Sequence, residues 1–364
     1  MSTPVTSERV FNFSAGPGTL PLSVMEEVRD ELPLYGSEGA SIMEVSHRGK
    51  SYTEIHEGTQ ALLRKLLGLG DDWHVLLLQG GASMQFHQVP LNLLREDASA
   101  DYLDTGKWSA GAIKEAKMIG RVNVAASSAA DDYTYIPEPS DWHLDSGAAY
   151  LHYTSNNTIF GTQFGYTPQT DDVPLVVDAS SDFLSRPIDA QAHGLIYAGA
   201  QKNIGPAGVT VVLVRDDMLQ ARKSGLPTML DYGTHAAKLY NTPPAFTIYV
   251  VHKVLRWLDE MGGVQAIEAI NDRKAAALYN RIDATDFYRG TARAGSRSKM
   301  NVTFRLPNEV LETNFIAKAK EHNMVGLKGY RTVGGVRASI YNAMPEEGVQ
   351  ALVSFMDEFE RANG

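Results

Sequence analysis

GLIYAGAQKNIGPAG, residues 194–208, decides how the chain folds. Its first half is small and apolar and reads as a buried strand running into a glycine-rich turn. One cation, Lys202, stands at the junction. An ammonium at the edge of a core is costly unless it is paired, neutral or covalently occupied. The strand end is therefore a candidate site as well as a turn.

Similar β-rich runs surround it: VLLLQ (75–79), ADYLDTG (100–106), RVNVAAS (121–127), AYLHYTSN (149–156), PLVVDAS (174–180) and GVTVVLVR (208–215). Helical patterns such as SMQFHQVPLNLLRE (83–96) and GKWSAGAIKEAKMIG (106–120) separate several of them. Continuously apolar strands alternating with helices predict an α/β fold whose mostly parallel, seven-stranded sheet is covered on both faces. In such sheets ligands bind beyond the carboxyl ends of the strands. IYVVHKVLRWLDEMGG (248–263) and VQAIEAINDRKAAALYNRI (264–282) follow as helices. The strand, helix, strand, helix pattern over 299–363 then predicts a small α+β C-terminal domain. The expected division is a large domain over 18–261 and a small one over 262–364, joined by residues 1–17.

Composition narrows the partners. Against 33 basic residues stand 43 acidic ones, a net charge of −10 that argues against nucleic acid or an anionic membrane. No apolar run approaches the ~20 residues of a membrane span. MSTPVTSERVFNFSAGPG (1–18) lacks the basic flank and apolar stretch of a secretory signal, so a cytoplasmic location is expected. Cysteine is absent, which excludes disulfides, thiolate metal sites and a cysteine nucleophile. An anionic substrate would have to be held by local arginines against the global charge.

Three polar residues end apolar runs: Thr158, Asp178 and Lys202. The last two are 24 residues apart, about a strand, a connection and the next strand, so both can reach one edge of the sheet. A lysine and a carboxylate meeting there suit pyridoxal phosphate, the lysine bonding the aldehyde and the carboxylate keeping the pyridine nitrogen protonated. Alone, an Asp ending a buried strand is more often a metal ligand or a structural cap. GGAS (80–83) leaves a strand and opens a helix, where backbone N–H groups bind phosphate, or it is simply a turn. NTPP (241–244) reads as an N-cap before a proline-led helix.

FNFSAGPG (11–18), SHRG (46–49), GGAS (80–83), GKW (106–108), NNTI (156–159), VVDASSD (176–182), AGAQKNIGPAG (198–208), NTPP (241–244) and GGVRASIYNA (334–343) together resemble the phosphoserine aminotransferase branch of the fold type I, class V pyridoxal phosphate-dependent transaminases. The resemblance spans nearly the whole chain. It implies that Lys202 is the Schiff-base lysine and proton carrier, that Asp178 pairs with the pyridine nitrogen, that Trp108 stacks on the ring and that Thr158 donates to its phenolic oxygen. Ala82, Ser83 and Gln201 would hold the cofactor phosphate. Asn241 and Thr242 would join them from the neighbouring subunit of a homodimer with shared active sites. Arg337 would fork onto the substrate α-carboxylate, while His47, Arg48, Tyr330 and Arg331 would hold the distal anion. The implied substrates are glutamate, 3-phosphohydroxypyruvate, phosphoserine and 2-oxoglutarate, in serine biosynthesis, with 4-phosphohydroxythreonine of pyridoxine biosynthesis as a candidate second one. No metal is implied.

One position departs from the family pattern. Many members read GHR where this chain has Gly329, Tyr330 and Arg331. Tyr330 keeps a donor but forfeits a potential positive charge. Among rival activities, cysteine desulfuration needs a cysteine that is absent. Alanine or serine transamination to glyoxylate stays open, although SHRG and the GYR stretch favour a phosphorylated or dicarboxylic substrate. A dinucleotide-binding oxidoreductase should show a G-x-G-x-x-G turn after its first strand, and none follows VLLLQ. A non-enzymatic scaffold would bind no chromophore.

Overall fold

The structure, a computed structural model, describes residues 9–364; the sequence reading of residues 1–8 lies outside the described residues. The apolar runs form seven strands: β1 (Trp73–Leu78), β2 (Ser99–Asp104), β3 (Arg121–Ser127), β4 (Leu151–Thr154), β5 (Leu175–Asp178), β6 (His193–Gly199) and β7 (Thr210–Arg215). They join in one sheet of order β1-β7-β6-β5-β4-β2-β3. All the pairings from β6 to β3 are parallel. β7 alone is reversed, antiparallel to both β6 and β1, so β1 points the same way as the other five.

Alternation of side chains explains why the inner strands are largely apolar, whereas the edge strand β3 buries only Ala125. Val75, Leu77, Val177, Ile196, Val211 and Leu213 enter one buried cluster, and Leu76, Val176, Leu195, Val212 and Val214 enter another on the opposite face. With both faces buried, no polar alternation survives. The first face is covered by α1 (Leu22–Glu31), α2 (Lys50–Leu67) and α5 (Ala245–Glu260), through residues such as Val28, Leu63 and Val254. The second is covered by α3 (Gly81–Leu93) and α4 (Lys107–Ala116), through Phe86, Val89 and Ile113.

A third cluster is built separately. α6 (Gly263–Asp283), α7 (Glu309–Glu321) and α8 (Glu346–Asn363) pack Leu278, Phe315 and Leu352 on the antiparallel sheet of β8 (Arg289–Gly290), β9 (Asn301–Arg305) and β10 (Val336–Ser339). Phe13 belongs to it, and Phe11–Asn12 pairs in parallel with Met324–Val325, so the start of the described chain packs with its end. Buried Lys274 on α6 donates to the carbonyl oxygens of Ile340, Tyr341 and Met344. The segment that leaves β10 is thereby tied to α6, and β10 carries Arg337. No helix among the described residues is long and apolar enough to cross a membrane.

Candidate active site

Because β1, β2, β4, β5 and β6 share one direction, the residues that follow them leave the sheet at one edge. Asp178 is the last residue of β5, in register with Tyr197 of the adjacent β6. Lys202 comes three residues after β6 ends, Thr158 four after β4, and Trp108 four after β2. The structure brings these four together. Lys202 Nζ donates to Thr158 Oγ1 at 2.7 Å and lies 5.7 Å from the centroid of the Trp108 ring. Arg337 reaches in from β10, its Nη1 donating to the Thr158 carbonyl oxygen at 3.4 Å.

Local chemistry holds this arrangement. Gly18 N–H donates to the Gln201 carbonyl oxygen at 2.8 Å, and a Cβ on Gly18 would stand 2.5 Å from the carbonyl oxygen of Lys202. FSAGPG therefore passes along the lysine's backbone with no room for a side chain. A Cβ on Gly106 would likewise meet Asn157 Oδ1 at 2.5 Å, so the GKW and NNTI turns interlock. Gly80 and Gly81 turn from β1 into α3 at φ 96° and 67°, a left-handed path that favours glycine. No side chain caps that helix start, which leaves the amides around Ala82 and Ser83 free for an anion.

The electrostatics are those of a working site. Burial pushes the Lys202 ammonium down from 10.5 to about 8; Asp178 opposes this and Arg337 adds to it. Burial outweighs the attraction. Asp178 is itself buried, and burial holds its carboxyl above the usual range against the pull of Ser180 and Lys202. Its Oδ1 accepts from the Ser180 N–H at 3.0 Å. Trp108 Nε1 and Arg337 Nε are buried atoms without a hydrogen-bond partner among the described residues. A buried carboxylate, an amine near neutrality, an indole face and an uncapped helix start fit pyridoxal phosphate, whose pyridine nitrogen, aldehyde, ring and phosphate each need one of them.

The remaining sequence-predicted residues lie elsewhere on the chain. Asn241 Nδ2 donates to Gln79 Oε1 at 3.1 Å, and the helix beyond NTPP starts at Ala245 with Pro244 as its cap residue. Neither Asn241 nor Thr242 caps it, which corrects the N-cap reading: two prolines separate them from the helix. His47 and Asn241 border one cavity of about 300 Å³, with Tyr52, His56 and Tyr240. Arg48 is exposed beside it, its N–H donating to Ser46 Oγ. Among the described residues no hydrogen bond joins this group to Lys202 or Arg337. Tyr330 and Arg331 stand at the Arg337 side, where Lys107 foremost, then Arg331 and Arg337, hold the Tyr330 phenol below its ordinary pKa. Asp182, quoted in the sequence but given no role, is buried against Ser155 and Gln163 and adds negative charge near Lys202.

The class V aminotransferase profile matches residues 10–352, and the chain belongs to that family. Within it, the chain is 56% identical to the phosphoserine aminotransferase of Desulfosudis oleivorans, over 98% of this chain and 100% of that one. The solved phosphoserine aminotransferase of Bacillus circulans subsp. alkalophilus superposes with a TM-score of 0.96 at 51% identity, covering 98% of this chain and 100% of the other. A PLP-bound phosphoserine aminotransferase from Trichomonas vaginalis superposes at 0.92 with 38% identity, over 96% of this chain and 100% of that one.

The lowered lysine gives a direct test. With a pKa of about 8, Lys202 is about half neutral at pH 8, against roughly 0.3% of an ordinary lysine. In the chain freed of bound aldehyde, competitive acetylation followed by mass spectrometry should place the reactivity midpoint of Lys202 near 8, well below the exposed lysines. A midpoint near 10.5 would mean that burial does not govern this amine.

Proposed function

We propose that the chain moves the amino group of glutamate to 3-phosphohydroxypyruvate, giving 2-oxoglutarate and phosphoserine, reversibly and on pyridoxal phosphate, as a cytoplasmic step of serine formation. The observation that carries this reading is the convergence of Lys202, Asp178, Thr158, Trp108 and Arg337 at one sheet edge in a class V aminotransferase. When bound, the cofactor supplies an aldehyde and a ring able to take up electrons from the substrate Cα.

Each residue then has a task that its surroundings support. Asp178 holds the proton on the ring nitrogen, and that positive partner offsets the burial of its carboxylate. Thr158 donates its hydroxyl to the ring oxygen, and Trp108 covers one ring face and excludes water. The Ala82 and Ser83 amides with Gln201 hold the phosphate. Lys202, once its amine is free, takes the proton from the substrate Cα; a pKa of about 8 suits a base working near neutrality. Arg337 forks onto the α-carboxylate, a planar two-donor match. Arg48, His47, Tyr330 and Arg331 receive the distal anion. 4-Phosphohydroxythreonine carries the same two anions and is proposed as a second substrate.

The active unit is a homodimer. The cofactor phosphate has about two negative charges, more than two amides and one glutamine satisfy. Asn241 and Thr242, which face Gln79 and solvent in one chain, supply further donors from the partner. His47 shares a cavity wall with Asn241, so it crosses the interface with it. The two units, divided near residue 261, close on the site from either side, the larger bringing the cofactor residues and the smaller Arg337.

Purified enzyme should form phosphoserine from glutamate and 3-phosphohydroxypyruvate at least a hundredfold faster, in kcat/KM, than it forms glycine from alanine and glyoxylate. The opposite preference would overturn the substrate assignment. For the shared site, Lys202→Ala and an Asn241→Ala/Thr242→Ala double variant, each inactive, should regain activity when they exchange subunits, because one site of the mixed dimer is intact. Exchange without recovery would mean that Asn241 and Thr242 serve their own chain.

A further inference from the structure

Lys107, the first residue of α4, is exposed and precedes the indole that lies beside Lys202. Its Nζ donates to the Tyr330 hydroxyl at 2.6 Å and stands 4.6 Å from that ring's centroid, although 223 residues separate the two. The contact links the large sheet's helix to the loop that leads into β10.

That loop is firmly shaped. The Val333 and Gly334 N–H groups both donate to the Tyr330 carbonyl oxygen, and Gly329 N–H donates to Gly335 O. A Cβ on Gly329 would fall 1.9 Å from the Gly334 oxygen, so the turn closes with no room for a side chain there. Tyr330 is thus presented by a tight turn and not by a loose strap.

Three cations act on this one phenol: Lys107 foremost, then Arg331 and Arg337, which together hold it below its ordinary pKa. Among the described residues, none of the three forms an ion pair with a carboxylate. In a chain of net charge −10, three neighbouring cations without an acid make a group that is missing its anion. Arg337 is half-buried, with its Nε out of contact with water and without a partner among the described residues, whereas Lys107 and Arg331 are exposed. The half-buried cation suits the α-carboxylate and the exposed pair the far end of the substrate. With its oxygen accepting from Lys107, the Tyr330 hydroxyl keeps its own hydrogen for a third party.

We propose that Lys107 is a specificity-determining residue: with Tyr330 it binds the distal anion of the substrate and favours a phosphate dianion over a carboxylate. Two spare N–H donors on the ammonium and one on the phenol match phosphate oxygens, and the added positive charge acts twice as strongly on a dianion. The inference rests on the transaminase reading above and assigns within it a cation that the sequence blocks do not single out.

The test uses the holoenzyme and the single-turnover reaction with phosphoserine or glutamate, followed by the cofactor's absorbance. Lys107→Gln should lower the phosphoserine-to-glutamate ratio of kcat/KM about tenfold, chiefly through KM, as expected for one charge-assisted hydrogen bond. Inhibition by inorganic phosphate should weaken in parallel. Lys107→Arg should keep the ratio within about threefold, and Tyr330→Phe should lower it less than Lys107→Gln does. An unchanged ratio in Lys107→Gln, with wild type using phosphoserine normally, would overturn the assignment of Lys107 and leave the transaminase reading standing. A wild type that transaminates other amino acids but not phosphoserine would overturn both.

Discussion

An ammonium held at the carboxyl edge of a parallel sheet, opposite a buried carboxylate, is the constraint on which the site depends. Neither Lys202 nor Asp178 is stable there for its own sake. Burial pulls the lysine toward its neutral form and the aspartate toward its protonated form, and their mutual attraction offsets only part of this. On the proposed reading, such a pair is maintained by what would bind between them: an aldehyde to occupy the amine and a ring nitrogen to give the carboxylate a positive partner. The rest of the molecule can be understood as the scaffold that keeps these two groups apart and dry.

Strand direction does most of that scaffolding. Five strands deliver Ala82, Trp108, Thr158, Asp178 and Lys202 to one edge because they run the same way, while β7, reversed between β1 and β6, contributes filling and no site residue. Glycines then remove side chains where segments must touch, at Gly18 against the Lys202 backbone and at Gly106 against Asn157. β10 adds Arg337, and buried Lys274 secures the chain just beyond it. A strand is a suitable mount for a guanidinium that, on the proposed reading, offers two donors to a planar carboxylate in register.

All seven strands of the main sheet were legible in the sequence, the inner ones because burial on both faces makes them largely apolar, although the edge strand β3 buries only Ala125; the candidate site residues Thr158, Asp178 and Lys202 were legible as the polar groups that end such runs. The helices α1 and α2 were not read, since α2 carries a polar outer face and no motif falls within it. NTPP misled as a cap because a Pro at a helix start is common, yet here both prolines precede the helix. Lys107 was invisible for a different reason. An exposed lysine beside a tryptophan looks solvated, and its partner Tyr330 lies 223 residues away in a turn whose shape no local pattern reveals. The sequence reading saw Tyr330 as a lost charge; the structure places a lysine on its hydroxyl. Contacts of that kind depend on tertiary placement alone.

The central claim is that Lys202, and no other lysine, bonds the cofactor. Reduction of the holoenzyme with borohydride, digestion and mass spectrometry of the peptides tests it most directly. The account predicts a single pyridoxyl-phosphate adduct on the peptide containing AGAQKNIGPAG, and its loss together with the visible absorbance in Lys202→Ala. An adduct on any other lysine, or a Lys202→Ala variant that retains the absorbance and the label, would contradict it.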